Sequence, residues 1–216
     1  MKKIAVLGSG QVGEVLANGL LKYGYEVMRG SRDPKKIAEW KAGAGPRAEV
    51  GTFAEATAWS DTVLIAVKGT AAESLVAQLG SASLSGKIVI DATNPIADAP
   101  PEEGVLRFFT GPNESLMERL QRSAPEAYFV KAFSCVGNAF MVEPKFPGGP
   151  PTMFICGNSA SAKAEVSALL RQFGWESADM GMAQSARAIE PLCMLWCIPG
   201  LSQNKWAHAF KLLQLS

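Results

Sequence analysis

The sequence predicts an α/β fold: a doubly wound, mainly parallel sheet with a small C-terminal α/β extension. Three observations predict it. Short apolar, β-rich runs alternate along the chain with stretches whose apolar residues recur at helical spacing, the pattern of βαβ units. The run Asp61–Val67 is apolar almost throughout, as expected for a strand covered on both faces. The first run ends in a glycine-rich turn that opens a helix. A chain of 216 residues, 48% hydrophobic and 19% charged, has globular composition and length enough for one sizeable core. We divide it into a larger unit, residues 1–140, and a smaller one, residues 141–216.

Taken in order, Lys3–Gly8 is a strand and Gln11–Tyr23 a helix with Val12, Val15, Leu16 and Leu20 on one side, stopped by Gly24. Tyr25–Arg29 is the second strand. Asp33-Pro34 reads as an N-cap followed by proline at the first helical position, opening a helix to about Ala42. Arg47–Val50 is a short strand, Phe53–Trp59 a short helix, Asp61–Val67 a strand, Ala71–Leu79 a helix and Lys87–Ala92 a strand. An irregular proline-rich stretch, Pro95–Pro112, leads to a helix at Asn113–Ser123 and a strand at Tyr128–Phe133. Pro144–Pro151 is a loop by composition. Strand, helix and strand follow at Thr152–Cys156, Ala160–Phe173 and Glu176–Met180. Two final helices, Gln184–Cys197 and Leu201–Leu215, are expected to be split by Pro199-Gly200.

Composition excludes several functions. With 21 Lys+Arg against 20 Asp+Glu, a net charge of +1 gives no electrostatic case for nucleic acid or anionic membrane as partner. A single His argues against His-rich metal sites and a Ser-His-Asp hydrolase; no metal site is expected. The apolar run after Lys2-Lys3 is too short for a signal peptide, and no stretch is long enough to span a membrane. The four cysteines lack metal-type spacing, so they read as buried thiols in a reducing cytoplasm.

The chemistry lies in Gly8-Ser9-Gly10-Gln11-Val12-Gly13, which fits G-x-G-x-x-G between a strand and a helix, with a second strand close behind. Gly8 permits the tight turn, Gly10 lets a pyrophosphate approach the backbone, and Gly13 lets helix and strand pack closely. The helix N-terminus offers unpaired N–H groups and partial positive charge to phosphates. This is a Rossmann-type dinucleotide site. The second strand then ends Gly30-Ser31-Arg32, with Lys35 and Lys36 beyond, where an NAD site would carry a carboxylate. A guanidinium binds a 2′-phosphate through charge-assisted bonds of about 1.5–3 kcal/mol each, so two favour NADP(H) by about 100-fold or more. Asp33 is the competing ribose ligand, although its place before Pro34 favours capping. Two further loops converge at the strand ends: Ala66-Val67-Lys68 and Asn94-Pro95. Lys68 reaches a phosphate or ribose, or stands in solvent; Asn94 contacts the nicotinamide side, or is a turn residue.

The GSGQVG turn, the GSR at 30–32, ATNP at 92–95, VKAF at 130–133 and the segment Ile189–Trp196 together resemble the NADPH-dependent coenzyme F420 reductase family, also called F420-dependent NADP oxidoreductase. The same core resembles the cytosolic reductase domain of the STEAP metalloreductases. The resemblance implies a homodimer binding NADP(H), with direct hydride transfer to a deazaflavin, coenzyme F420, as co-substrate. It places NADP contacts on Ser9, Gly10, Gln11, Val12, Ser31, Arg32, Lys36, Val67, Asn94 and Pro95. One departure stands out: Ser134 occupies a position that is Asn in many relatives, in a segment expected to border the hydride acceptor.

Such transfer needs orientation and exclusion of water more than an acid or base, and no dedicated catalytic residue is expected. His208 reads as a packing or surface residue of the last helix. The apolar segment Leu192–Leu201, with Met194 and Trp196, is helix core, or else an acceptor-pocket wall or dimer interface. A small-molecule redox substrate is implied. Beside F420 stand a flavin, quinone, metal chelate or imine as acceptor, and a non-catalytic NADP-binding redox sensor.

Overall fold

A computed structural model describes residues 2–215. The chain runs β1 (Lys3–Leu7), α1 (Gln11–Lys22), β2 (Glu26–Ser31), a 3₁₀ turn (Pro34–Ile37), α2 (Ala38–Ala44), β3 (Ala48–Thr52), α3 (Phe53–Trp59), β4 (Thr62–Ile65) and α4 (Gly69–Leu79). It continues α5 (Ser81–Leu84), β5 (Ile88–Asp91), α6 (Leu116–Ser123), β6 (Tyr128–Lys131), β7 (Thr152–Gly157), α7 (Ala160–Gln172), β8 (Glu176–Asp179) and α8 (Ala186–Gln203).

The eight strands form one sheet ordered β3-β2-β1-β4-β5-β6-β7-β8. The first six are parallel, and the order reverses between β1 and β4, so this is a doubly wound Rossmann-type sheet. β7 turns antiparallel to β6, and β8 pairs parallel to β7. The sheet thus runs unbroken into the C-terminal α/β part.

Helices cover both faces, which is why the central strands read as continuous apolar runs: all four residues of β4 are buried. On one face Leu16 and Leu20 of α1 pack with Val166 and Leu170 of α7. On the other, Ala56 of α3, Leu75 of α4, Leu120 of α6 and Ile189 of α8 share a second core. Local chemistry fixes the helix starts. Thr52 and Glu55 form a capping box for α3, and Ser115 and Glu118 one for α6. Asp33 caps the turn at Pro34 through Lys35 N (3.1 Å), as the sequence suggested, although that turn is 3₁₀ before α2 begins.

The C-terminus differs from expectation. Pro199-Gly200 does not end a helix; α8 continues through both Pro191 and Pro199 to Gln203. It stops at Asn204, a left-handed residue whose N–H bonds Gly200 O at 2.9 Å. Gly200 is needed because the Trp206 ring lies where a side chain would be. In place of the expected helix 201–215, residues 204–215 form a tail without helix or strand. Tertiary bonds override its apolar spacing: Trp196 Nε1 donates to His208 O, and His208 Nε2 pairs with Trp196 O, both at 2.9 Å. Thr152 N then donates to Phe210 O at 2.9 Å, tying the tail to β7. His208 therefore lies on this tail, stacked on Trp196 with ring centroids 4.9 Å apart. Among the described residues, no helix is long and apolar enough to cross a membrane.

Candidate functional site

A cleft of about 720 Å³ opens at the carboxyl ends of the strands, over the reversal between β1 and β4. Its floor is the β1–α1 turn. A Cβ on Gly8 would come within 2.3 Å of Ala66 O, and one on Gly13 within 2.7 Å of Gly8 O; both glycines are there because backbone passes backbone. At Gly10 nothing lies within 4 Å, so this residue leaves open space above the turn. Gly10 is also the N-cap of α1 and gives no side-chain bond, whereas α3, α6 and α7 are capped by side chains. The first-turn N–H groups of α1 are thus available to an anion.

Beneath this turn lies a residue the sequence reading did not single out. Arg29 is fully buried, its Nη2 3.4 Å from both Gly8 O and Gly10 O and its Nη1 3.3 Å from Glu14 Oε2. The guanidinium stacks over Trp40 at 4.9 Å. It binds both carbonyls and puts a positive charge under the turn. Burial lowers its pKa, with Glu14 opposing, but an arginine stays charged.

One end of the cleft is bounded by Ser31, Arg32, Phe53, Ser74 and Gln78. Arg32 is exposed. Ser31 is buried, and its Oγ accepts from Asp33 N at 3.2 Å, which leaves its hydrogen to donate. The Asp33 carboxylate is committed to its cap. The middle holds Ser9, Gln11, Val12, Ala66, Val67 and Lys68. The Lys68 side chain is 83% exposed and 3.7 Å from Asp98, so it stands at the rim. The far end gathers Asn94, Phe133, Ser134, Asn138, Met141, Cys193, Trp196 and Cys197. Of the residues proposed from sequence, Gly8, Ser9, Gly10, Gln11, Val12, Ser31, Arg32, Ala66, Val67, Lys68, Asn94 and Ser134 all line this one cleft; Gly13, Lys36 and Pro95 stand off its wall. From the C-terminal helix Trp196 lines it and Met194 does not.

The far wall rests on a buried ionic centre. Lys131 Nζ, at the end of β6, is 2.8 Å from Asp91 Oδ2, 2.8 Å from Glu190 Oε1 and 2.7 Å from Thr93 O. All three charged residues are buried. Asp91 Oδ1 also accepts from Thr93 N (2.9 Å) and Oγ1 (2.7 Å). Glu190 caps α6 by accepting from Leu116 N (2.9 Å) and Met117 N (3.0 Å). Burial alone would lower the Lys131 pKa, but Asp91 and Glu190 together hold it above its ordinary value. The Arg187 guanidinium grips Glu118, at 2.6 Å from Nη2 to Oε1, and holds that carboxyl at about 2. These contacts dock α8 against α6 and set Trp196 facing the cleft. Each is signalled in the sequence only by a lone charge inside an apolar run: IVID, FVK and AIEPL.

The chemistry available is limited. Among the residues lining the cleft there is no carboxylate and no imidazole. Of the two thiols that line it, Cys193 is held above its ordinary value by its bond to Cys197 and by burial, and the same bond pulls Cys197 below its ordinary value against burial. Cys135 and Cys156, off the cleft, are pushed by burial up to about 12. Among the described residues, no group of three His, Cys, Asp or Glu is placed to hold a metal ion.

The cleft fits NADP(H) on its own geometry: an open glycine turn on an uncapped helix, a guanidinium with a free hydroxyl donor where the adenosine ribose would lie, and no carboxylate to repel a 2′-phosphate. Comparison with known proteins agrees. The profile of the family described as "NADP oxidoreductase coenzyme F420-dependent" matches residues 3–95. The metalloreductase STEAP3 of Rattus norvegicus is 32% identical over 203 residues, 92% of this chain but 38% of that protein; the chain spans little more than a third of such relatives. An imine reductase from Pseudomonas sp. has a TM-score of 0.67 at 18% identity over 88% of this chain and 59% of its own, which is a likeness of fold. The crystal structure of a putative F420-dependent NADP reductase from Arthrobacter sp. has a TM-score of 0.91 at 32% identity, over 99% of this chain and 100% of that one. With the glycine turn, the basic end of β2 and this full-length match together, the chain belongs to the coenzyme F420-dependent NADP oxidoreductase family, whose members are NADP-dependent oxidoreductases.

Proposed function

We propose that the protein transfers a hydride between NADP(H) and a flat conjugated acceptor of the deazaflavin type, coenzyme F420. The observation that carries this reading is the far end of the cleft. It is walled by Phe133, Met141, Trp196 and two cysteines, with no carboxylate and no imidazole there to give or take a proton. Reduction of a simple ketone needs a proton delivered to the developing alkoxide. A conjugated ring delocalises the incoming charge onto atoms in reach of water, so stacking and dehydration suffice.

In this reading the α1 N-terminus, with Ser9, Gln11 and Val12, holds the diphosphate, and Ser31 and Arg32 hold the 2′-phosphate. Lys36 and Lys68 add positive potential at the rim, Gly8 and Gly13 shape the turn, and Pro95 stiffens the Asn94 loop. Bound there, NADPH supplies the hydride. The C-terminal part, residues 141–216, closes the acceptor end through α8, while residues 1–140 carry the cofactor. Mixing protein with NADP and reduced F420, or NADPH and oxidised F420, is expected to change absorbance at the nicotinamide band. Consumption of NADPH with FMN or a ferric chelate but not F420 would transfer the reading to those acceptors, of which the similarity to a metalloreductase favours the chelate. Tight NADPH binding with no turnover on any acceptor would make it a sensor.

A second copy of the chain is the proposed partner. Leu195 and Leu201 of α8 and Leu213 of the tail are exposed, at 54%, 39% and 84%. Apolar residues left open on one helix and its adjoining tail suit a homodimer. Light scattering is expected to give twice the chain's 22.9 kDa, with Leu195→Glu returning it to one; a wild-type monomer removes the dimer.

A further inference from the structure

We infer that Cys193 and Cys197 form a binding site for a soft, thiophilic metal ion, monovalent copper, on the wall of the cleft. The two stand four residues apart in α8, so their side chains share one face of the helix a single turn apart. Both line the cleft, whereas Cys135 and Cys156 do not. All four are free thiols; Cys193 is buried and Cys197 only partly so, which leaves the pair approachable from the open side. The two thiols are bonded to each other, so their sulfurs already lie side by side.

The helix favours an ion over a disulfide. Side chains four apart on a helix have their Cβ atoms about 5–6 Å from one another. A disulfide needs roughly 3.5–4.5 Å. To close one, α8 would have to unwind beside Trp196, whose indole is held by His208 O at 2.9 Å. It would also pull on Glu190, one turn earlier, which is fixed to Lys131 and to the amides that open α6. An ion with metal–sulfur bonds of about 2.3 Å spans the same pair with the backbone left in place.

The donors choose the ion. Sulfur ligands select soft ions, and the same end of the cleft adds a thioether, Met141, but no carboxylate or imidazole. Magnesium and calcium ask for oxygen ligands. Structural zinc asks for a closed set of four, and among the described residues no group of three His, Cys, Asp or Glu is placed to hold a metal. Monovalent copper has a filled d shell and is satisfied by two thiolates. On binding, the two thiols release two protons to solvent and the ion takes their place; no electron moves. The bis-thiolate so formed carries one negative charge, which the open side of the cleft leaves in contact with water.

Titration of the reduced protein with monovalent copper in the absence of oxygen, against the copper chelator bicinchoninate, tests the site. Wild type is expected to hold one copper per chain and to show thiolate-to-copper absorption in the near ultraviolet. Cys193→Ser and Cys197→Ser are each expected to weaken it at least about 100-fold, more than loss of a merely supporting group gives. Cys156→Ala, off the cleft, keeps it. Circular dichroism reports folding; should the buried Cys193→Ser not fold, Cys197→Ser at the half-exposed position decides alone. Copper held as well by Cys197→Ser overturns the site, as does a wild type stripped by an equal amount of chelator or one that retains zinc more tightly than copper. A consequence rests on the reading of this end as the acceptor pocket: bound copper should abolish turnover and leave NADP⁺ binding unchanged. Copper binding without that inhibition would overturn the placing of the acceptor against α8 and leave the copper site standing, so the two readings fail separately.

Discussion

Arg32→Ala is expected to weaken NADPH binding about 10- to 100-fold and to leave NADH binding within about twofold. Two charge-assisted bonds to a 2′-phosphate suggest a larger loss. The side chain is exposed, however, and ordering it and screening by salt reduce the net value to about 1.5–3 kcal/mol. The neighbours sharpen the expectation. Ser31 keeps a hydroxyl hydrogen to donate because its oxygen already accepts from Asp33 N. Asp33, the competing ribose ligand, has its carboxylate turned to its cap. Raising salt should narrow the difference between the two cofactors in wild type and leave it unchanged in the variant. Equal losses for NADPH and NADH, measured by fluorescence titration, would place Arg32 outside the cofactor site.

The part of this site that the sequence disclosed is the part encoded locally. A glycine turn, the helix it opens and the strand that follows lie within thirty-odd residues; Gly8 and Gly13 answer backbone contacts under 3 Å away, and Gly10 leaves the space above the turn open. The ends of β2, β4 and β5 were equally readable because a parallel sheet brings strand ends to one edge whatever lies between them. What stayed hidden depends on distant pairing. Arg29 reads as one more residue of an edge-side strand until α1 is laid across it and the turn's carbonyls come within reach. Asp91, Lys131 and Glu190 are scattered, and nothing in the spacing joins them, although a lone charge in an apolar strand needs a buried partner. The antiparallel turn of β7 leaves no mark that separates it from another parallel strand. At the C-terminus local rules misled: proline and glycine at 199–200 are breaker signals, but burial of Trp196 and the Trp206 ring against Gly200 outweigh one lost backbone bond.

Lys131→Met is expected to cost about 3–5 kcal/mol, the range for leaving buried charge unpaired. For a domain of this size that corresponds to a fall in Tm of roughly 6–20 °C. Two carboxylates from different elements, Asp91 and Glu190, would then face each other with only the amide groups of Thr93, Leu116 and Met117 and the Thr93 hydroxyl to hold them. Methionine fills the stem's volume, so the loss reports charge rather than a cavity. Neutralising one carboxylate as well, in Lys131→Met/Glu190→Gln, should recover part of the loss, because Asp91 keeps both Thr93 bonds. The pH dependence follows from the sign of the shift. The folded-state pKa of Lys131 lies above its ordinary 10.5, so its contribution is complete below that pH and is lost only as alkali carries the solution through the raised value. The difference in Tm between wild type and Lys131→Met should therefore be flat across neutral pH and shrink only in strong alkali. A variant that melts within about 2 °C of wild type at pH 7 would mean that the three charges do not form the buried centre holding α8 to the strand ends, and with it the wall that closes the acceptor side of the cleft.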